Sequence, residues 1–256
     1  MVRAKKYIGQ HFLKDDNIAK KILSFFDPGS SSFIIEIGFG TGILSKYLIE
    51  KYENILFLDI DNESYGYMIE KYPSYKSKFV LMDFLQMDFS RYNSKVCLIG
   101  NLPYNISSQI FFRIFENRHI VEECVFMVQK EVANRLISTG GDKNFGILSV
   151  LLGLFFDIKK LFDVNPSSFL PPPKIKSSVI KLKSKGKVFL GVDDETLKLT
   201  VKTIFGKRRK MLRNSLKHIG INVETDSTLS PLLNKRPEEL SIFDFVTIAK
   251  AVKKQK

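Results

Sequence analysis

The chain has 256 residues, a length that suits one large domain or a large domain with a small appendage, and 44% of its residues are hydrophobic. Its 40 Lys and Arg against 27 Asp and Glu give a formal net charge of +13. Such an excess favours a polyanionic partner, although a lysine-biased genome has the same effect. No apolar run approaches the roughly 20 residues that span a bilayer, and the basic N-terminus turns polar too early for a signal peptide.

The cysteines and histidines indicate neither a disulfide nor a metal site. Cys97 and Cys124 each lie inside an apolar run, which is typical of buried thiols. The three histidines lack the spacing of zinc ligands. We therefore expect a reduced, cytoplasmic protein without a metal.

Strand-length apolar runs alternate with amphipathic helical patterns along most of the chain. In chain order, the predicted elements are strand 32–38, helix 42–52, strand 55–61, helix 64–72, strands 78–83 and 95–100, helix 108–117, strand 123–129 and helix 130–137. Short, continuously apolar strands between such helices are typical of a parallel sheet that is covered on both faces. We therefore predict an α/β fold with a doubly wound, mostly parallel sheet.

The pattern changes towards the C-terminus. The stretch 158–184 is predicted as two strands joined by a Pro-rich loop, whereas the sequence after 185–187 is helix-patterned without a strand-like run. This change marks a domain boundary. We predict a catalytic domain over residues 1–187 and a small helical domain over residues 188–256.

Three alternating glycines in EIGFGTGIL (36–44) join the first predicted strand to the first helix. Glycine is used where the backbone turns tightly or approaches a ligand, and ligands of a doubly wound sheet collect at this edge. Gly38 and Gly40 are therefore candidate cofactor-binding residues. Asp59, at the end of the second strand, suits ribose hydroxyls. These residues fit a dinucleotide as well as S-adenosylmethionine.

Two features favour S-adenosylmethionine. The spacing G-x-G-x-G differs from the G-x-G-x-x-G that places a pyrophosphate on a helix N-terminus. Glu36, just before the glycines, is an awkward neighbour for a diphosphate but a reasonable one for a sulfonium cation. Asp83 ends the third strand, where its carboxylate can accept from an adenine amino group. We therefore predict a Rossmann-like, class I methyltransferase that uses S-adenosylmethionine.

Asn101, Leu102, Pro103 and Tyr104 follow the fourth predicted strand, at the same edge of the sheet. They suit methylation of an exocyclic amine, because the Asn101 side-chain oxygen and the Leu102 carbonyl can accept from its hydrogens and stabilise the charge that develops. Pro103 fixes the turn, and Tyr104 offers a ring for base stacking. An ordinary strand-to-helix turn explains the tetrapeptide alone equally well, but its position favours catalysis.

Basic residues are concentrated between positions 206 and 216. They are Lys207, Arg208, Arg209, Lys210 and Arg213. Such a cluster binds phosphates without reading sequence, although an isolated charge run is more often a solvated surface. Together with an adenine-methylating site and the charge of +13, the cluster is interpreted as an RNA-binding surface.

Seven blocks stand in order and at characteristic spacing along the chain. They are QHFL (10–13), EIGFGTGIL (36–44), NLPYNIS (101–107), QKEVANRL (129–136), PSSFLPPPK (166–174), KRRKMLRNSL (207–216) and KRPEEL (235–240). Together they resemble the KsgA family of small-subunit rRNA adenine dimethyltransferases over nearly the whole chain. The resemblance implies transfer of two methyl groups from S-adenosylmethionine to N6 of each of two adjacent adenosines near the 3′ end of that rRNA.

The resemblance also implies roles for individual residues. Positions that match the cofactor contacts of the family are Gln10, His11, Leu13, Gly38, Asp59, Asp83 and Asn101. Phe169 matches the ring that holds the target base against Tyr104, although a loop phenylalanine also fits ordinary packing. The sequence departs from the family pattern at Phe39, where proline is usual, and at Asp59, where glutamate is commoner.

Two other functions stay open from the sequence. A large-subunit rRNA adenine methyltransferase of the erythromycin-resistance type shares the fold, the cofactor and the aromatic sandwich, but the LPPPK and KRPEEL blocks favour the small-subunit enzyme. A non-catalytic assembly factor retains such a fold without chemistry, but the intact NLPY motif argues against that function. We expect a monomer whose partners are small-subunit rRNA and the precursor of the small ribosomal subunit, with no membrane partner.

Overall fold

The computed structural model describes residues 2–5, 9–218, 221 and 227–255. The chain forms two compact units, the first made of Met1–Ala133 with Asp157–Gly186 and the second of Asn134–Phe156 with Lys187–Lys256. Among the described residues, no helix has both the length and the apolar character that crossing a bilayer requires.

A seven-stranded sheet organises the fold. The strands in chain order are β1 (Phe12–Leu13), β2 (Phe33–Ile37), β3 (Ile55–Asp59), β4 (Phe79–Leu81), β5 (Val96–Asn101), β6 (Val121–Gln129), β7 (Phe156–Val164), β8 (Phe169–Leu170) and β9 (Ser177–Ser184). The large sheet has the order β4-β3-β2-β5-β6-β9-β7. Neighbours from β4 to β6 are parallel, and β9 is antiparallel to β6. The predicted mostly parallel, doubly wound sheet is confirmed.

Helices follow most of the strands. They are α1 (Asp16–Ser24), α2 (Ser45–Lys51), α3 (Asn62–Lys71), α4 (Ser107–Glu116), α5 (Lys130–Ile137), α6 (Ile147–Gly153), α7 (Asp194–Gly206), α8 (Leu212–His218) and α9 (Ile242–Lys254). Aspartates begin two of them: Asp15 accepts from two backbone N–H groups of α1, and Asp61 does the same for α3. A carboxylate there satisfies N–H groups that have no partner within the helix.

The inner strands are buried almost without interruption, which is why their sequences read as continuous apolar runs. Cys97 on β5 and Cys124 on β6 are buried free thiols, as predicted. Burial raises the pKa of Cys97 to about 11, so this thiol stays protonated and inert at neutral pH.

A second, two-stranded sheet joins the N-terminal segment to the Pro-rich loop. Strands β1 and β8 pair antiparallel, with Phe12 opposite Leu170 and Leu13 opposite Phe169. The sequence analysis did not predict these strands, because two residues are too short to show an alternating pattern.

The second unit is helical, and it contains more of the chain than the sequence indicated. Residues 134–156, which the sequence analysis placed in the first domain, cluster with the C-terminal helices. The physical reason is aromatic packing: the Phe145 ring lies 5.8 Å from the Phe205 ring and 6.1 Å from the Phe245 ring. Helix α6 lies in this segment and was not predicted.

Two glycines offer a matched test of the packing around β5. A Cβ on Gly100 would lie 2.3 Å from the Ile37 carbonyl oxygen, whereas one on Gly66 in α3 would meet nothing within 4 Å. We expect Gly100→Ala to lower the free energy of unfolding by about 2–3 kcal/mol and Gly66→Ala to raise it by about 0.5–1 kcal/mol. Urea unfolding measures both, and equal effects would contradict the packing described here.

Candidate active site

A cleft lies at the carboxyl ends of β2, β3 and β5. It encloses about 470 Å³, part of it open to solvent, and is lined by Gly9, Gln10, His11, Phe12, Gly38, Gly40, Asp59, Ile60, Asn101, Leu102, Pro103 and Tyr104. The structure therefore brings the glycine loop, the Gln10 segment and the NLPY turn together, as the sequence predicted.

The glycine loop requires glycine for its backbone. Gly38 and Gly40 have φ angles of 74° and 53°, in the left-handed region that side chains disfavour. The Gly40 N–H donates to Oδ2 of Asp59 at 2.9 Å, and the Gly38 N–H donates to the Leu58 carbonyl at 2.8 Å. The loop after β2 is thus fixed against the end of β3. Phe39, where the family usually has proline, is buried edge-on against Phe79.

Asp59 is a buried carboxylate with several backbone partners. Besides the Gly40 N–H, it accepts from the Asp61 N–H, which lies 3.0 Å from Oδ1. Burial raises the pKa of Asp59, and these hydrogen bonds oppose that shift. The group sits at the cleft with acceptor capacity left over, which suits its predicted contact with ribose hydroxyls.

Glu36 lies deeper, beside Leu13, where a smaller part of the cleft continues behind the glycine loop. Its Oε2 accepts from the Ser45 hydroxyl at 2.7 Å. Burial, reinforced by the negative charge of Asp59, raises the pKa of Glu36 to about 8. The carboxyl is therefore largely neutral at pH 7, and a cation bound nearby would favour its ionised form.

The segment Gln10–Leu13 crosses the cleft and is held at several points. The Gln10 amide donates to Oδ2 of Asp61 at 3.4 Å. The Phe12 ring packs so closely over Gly40 that a Cβ there would lie 2.9 Å from it. Leu13 is buried in the core. All three predicted residues of this segment, Gln10, His11 and Leu13, therefore line the cleft or its inner part.

The NLPY turn presents acceptors to the cleft. The Asn101 amide nitrogen donates to the His11 carbonyl at 2.8 Å, which turns the amide oxygen away from that bond. Among the described residues, no donor is hydrogen-bonded to that oxygen. The Leu102 N–H donates to the Met127 carbonyl at 3.0 Å and so anchors the turn to β6. One side-chain acceptor is thus oriented and available.

Tyr104 is held at its phenol and beside a second ring. Its hydroxyl lies 2.6 Å from the hydroxyl of the buried Ser177, and its ring centroid lies 5.4 Å from that of His11. Burial raises the pKa of the Tyr104 phenol, so it stays neutral at physiological pH and offers a ring face rather than a base.

Two predicted site residues lie elsewhere. Phe169 is 1% exposed, packs in the core of the first unit and lies outside the residues that line the cleft, so its predicted position opposite Tyr104 stays a prediction. Its pairing with Leu13 turns the ring inward, and the next residue, Leu170, turns outward and is 59% exposed. Asp83 lies outside the residues that line the cleft and accepts from the Leu85 N–H at 2.9 Å. Its predicted contact with adenine stays a prediction.

The basic cluster is divided by its contacts. Arg208 donates to the Lys143 carbonyl and lies 3.7 Å from Oε2 of Glu238, so it links separate segments of the second unit. The other members have no carboxylate of the described residues within ion-pair distance; they are Lys207, Arg209, Lys210 and Arg213. Most of them border a concave surface formed around Gly206 and Asn214.

Sequence reasoning missed Asp61 and Ser177. Asp61 is buried and accepts from the Lys5 ammonium, the Gln10 amide and the Ser64 hydroxyl. Its signal was an acid that precedes a helix start, which indicates a cap but no link to the N-terminus. Ser177 gave no local signal, because its partner Tyr104 is 73 positions away.

Comparison with known proteins identifies the family of the chain. The sequence matches the family described as ribosomal RNA adenine dimethylase over residues 1–254. The chain belongs to this family. It is 42% identical over 249 residues to the ribosomal RNA small subunit methyltransferase A of Parabacteroides distasonis, covering 97% of this chain and 93% of that protein.

Two solved structures of dimethylases and related enzymes have the same fold. A dimethyladenosine transferase from Plasmodium falciparum superposes with a TM-score of 0.81 at 26% identity, covering 96% of this chain and 98% of that one. The 23S rRNA methyltransferase ErmE superposes with a TM-score of 0.66 at 20% identity, covering 92% of this chain and 99% of that one. This likeness shows the fold alone.

As a dimethylase of this family, the chain is an enzyme whose methyl donor is S-adenosylmethionine. The cleft fits that molecule: it offers backbone groups of a glycine loop, a buried carboxylate at Asp59 and a second carboxyl at Glu36. Asp59 suits the ribose hydroxyls, and Glu36 lies where a positive charge would stabilise its carboxylate.

The shifted pKa of Glu36 predicts a pH dependence of stability. The native carboxyl keeps its proton up to about pH 8, whereas in the unfolded chain it loses the proton near its ordinary value of 4.5. Since the native state then binds more protons, the free energy of unfolding falls as pH rises between these values. We expect Glu36→Gln to flatten that decline by a few kcal/mol between pH 5 and 9, measured by urea unfolding. If the free energy of unfolding of the two proteins changed with pH to the same extent, the raised pKa of Glu36 would be contradicted.

Proposed function

We propose that this enzyme transfers methyl groups from S-adenosylmethionine to N6 of two adjacent adenosines near the 3′ end of small-subunit rRNA. The observation that carries the proposal is the oriented amide of Asn101, whose oxygen is available in a cleft shared with Tyr104 and the glycine loop. The name of the Parabacteroides distasonis relative supports the small subunit as substrate.

The N6 amine of adenine is a weak nucleophile and must be activated before it can accept a methyl group. The N6 lone pair of adenine is delocalised into the ring, and acceptors that pull on its hydrogens favour a more tetrahedral nitrogen. The Asn101 oxygen and the Leu102 carbonyl supply such acceptors, and they would stabilise the positive charge that N6 gains when it takes up the methyl group. Cofactor binding supplies the electrophilic methyl group. The extra proton leaves to water, so no strong base is needed.

Tyr104 positions the base. Its ring is fixed through the hydrogen bond between its phenol and Ser177, so it offers a rigid face to a flipped purine. Stacking of this kind contributes about 1–3 kcal/mol per base. An adenosine must leave its RNA helix before the enzyme can reach its N6. Stacking on Tyr104 therefore offsets part of the cost of unpairing the base.

The free members of the basic cluster support RNA binding by the second unit. Lys207, Arg209, Lys210 and Arg213 can each neutralise a phosphate, and such contacts position RNA without reading its sequence. We further propose that the enzyme acts as a monomer in the cytoplasm, on a precursor of the small ribosomal subunit. Recognition then depends on the shape of the folded RNA more than on base sequence.

Asn101→Ala tests the proposed chemistry. Because the change removes an acceptor at the reacting nitrogen, we expect kcat for methyl transfer to fall about 10²–10³-fold. Asn105→Ala, at the exposed asparagine of the same motif, is the matched control and should keep kcat within about twofold. Calorimetry with S-adenosylmethionine shows whether the cofactor still binds. An Asn101 variant with normal turnover would remove the residue from the mechanism.

The basic cluster makes a separate prediction. Arg209→Ala with Lys210→Ala should weaken RNA binding and reduce the slope of log affinity against log salt by about one to two, since two phosphate contacts are lost. Arg208→Ala should instead lower the melting temperature of the protein, because its partners are Glu238 and the Lys143 carbonyl. If only Arg208→Ala changed the slope of log affinity against log salt, Arg208 would be the RNA contact and Arg209 and Lys210 would not.

The rival substrate is the large-subunit rRNA. RNA extracted from a strain that lacks the gene distinguishes the two. Loss of dimethyladenosine from the small subunit supports the proposal, and loss from the large subunit supports the erythromycin-resistance type. If neither RNA loses the modification, the non-catalytic alternative is favoured.

A further inference from the structure

The concave surface around Gly206 and Asn214, in the second unit, contains an aromatic ring as well as basic side chains. Its cavity leaves about 480 Å³ accessible to water-sized molecules, which is in the range of small-ligand sites. The half-buried Phe205 lines this cavity together with members of the basic cluster. Phosphate binding needs only the cations, so the ring and the cavity indicate a further group on the ligand.

The Phe205 ring is supported by two other rings. It stacks on Phe245 at a centroid distance of 5.2 Å, with the two planes inclined by 11°. Phe145 lies 5.8 Å from Phe205 and 6.1 Å from Phe245. Because these two distances are nearly equal, Phe145 lies beside the stacked pair and leaves the outer face of Phe205 uncovered. A flat aromatic group in the cavity can therefore extend the stack.

Cations and an amide border the same cavity. Lys207, Arg209 and Lys210 line it, and no carboxylate of the described residues lies within ion-pair distance of them. The exposed Asn214 also lines it, and in the described part of the chain its side chain has no hydrogen-bond partner. An amide carries a donor and an acceptor for the edge of a base, whereas the cations suit a phosphate.

We propose that this cavity is a second nucleotide site, which takes one unpaired nucleotide of the small-subunit RNA with its base stacked on Phe205. The inference rests on the proposed function, because it takes that RNA as the partner. A base inside a continuous helix is covered on both faces by its neighbours, so only an unstacked nucleotide can enter. The second unit thus recognises a feature of RNA structure in addition to binding phosphates.

Phe205→Leu and Phe205→Tyr test the stacking contact. Leucine is apolar but has no flat face, so the dissociation constant for small-subunit RNA, measured without cofactor, should rise about 5- to 150-fold. The slope of log affinity against log salt should stay the same, because no phosphate contact is lost. Phe205→Tyr keeps the ring and should stay within about threefold of the unaltered protein. Phe243→Leu, at an exposed phenylalanine outside this cavity, is the control and should change neither quantity.

Gly206→Leu and Gly206→Ala test the cavity without altering the ring. Gly206 lines the cavity, and a Cβ there would meet nothing within 4 Å. A leucine side chain therefore fits the fold but occupies the space of the base, so RNA affinity should fall at least about fivefold, whereas alanine should keep it within about threefold. Melting temperatures show that each variant is folded, and this pair decides the matter if Phe205→Leu unfolds.

Chemical probing of the bound RNA identifies the nucleotide. Dimethyl sulfate modifies unpaired adenine and cytosine, and a carbodiimide reagent modifies unpaired guanine and uracil. On small subunits that lack the modification, the protein should protect one unpaired base besides the two target adenosines. Phe205→Leu should restore the reactivity of that base and leave the target adenosines protected.

Three results would overturn the proposal. They are an RNA affinity that neither Phe205→Leu nor Gly206→Leu lowers, a lowered affinity with a smaller salt slope, and no protected base that depends on Phe205. The second result would show that phosphate contacts were disturbed instead. None of these measurements involves methyl transfer. A protein that shows the expected binding effects but methylates no adenosine refutes the proposed function alone, and one that methylates normally without these effects refutes the second nucleotide site alone.

Discussion

The buried carboxylate of Asp59 holds the two loops that build the cleft. Through the N–H groups of Gly40 and Asp61 it fixes the loop after β2 and the turn that begins α3. Hydrogen bonds to a charged group are stronger where water is excluded, so this junction is rigid. Asp61 in turn accepts from Lys5 and Gln10, which brings the N-terminal segment across the site.

That N-terminal segment contacts both sides of the cleft. Phe12 packs over Gly40 on the side of the glycine loop, while the His11 carbonyl orients the Asn101 amide on the side of the base. A displacement of these adjacent residues therefore changes both the glycine loop and the orientation of the Asn101 amide, the proposed acceptor for N6. Such coupling suits an enzyme that must align a methyl group and a flipped base before transfer.

Much of this arrangement follows from local sequence. The alternation of apolar strands and amphipathic helices predicts the parallel sheet, and a parallel sheet places the glycine loop, Asp59 and NLPY at one edge. The backbone of Gly38 and Gly40 confirms that glycine is required there. These features were predictable because each depends on period or on position along a strand.

The features that the sequence did not indicate concern long-range partners. The inward direction of Phe169 depends on the register of β1 with β8, which two residues cannot reveal. The membership of 134–156 in the second unit depends on Phe145 meeting rings some 60 and 100 positions later. The structural role of Arg208 depends on Glu238, 30 positions along the chain.

We propose that this cleft methylates N6 of adenosine in small-subunit rRNA. The most direct measurement is mass spectrometry of nucleosides from small ribosomal subunits that lack the modification, after incubation with the enzyme and S-adenosylmethionine. We expect N6,N6-dimethyladenosine at two adjacent positions near the 3′ end. Methylation at another atom of adenine, or only of large-subunit RNA, would contradict it.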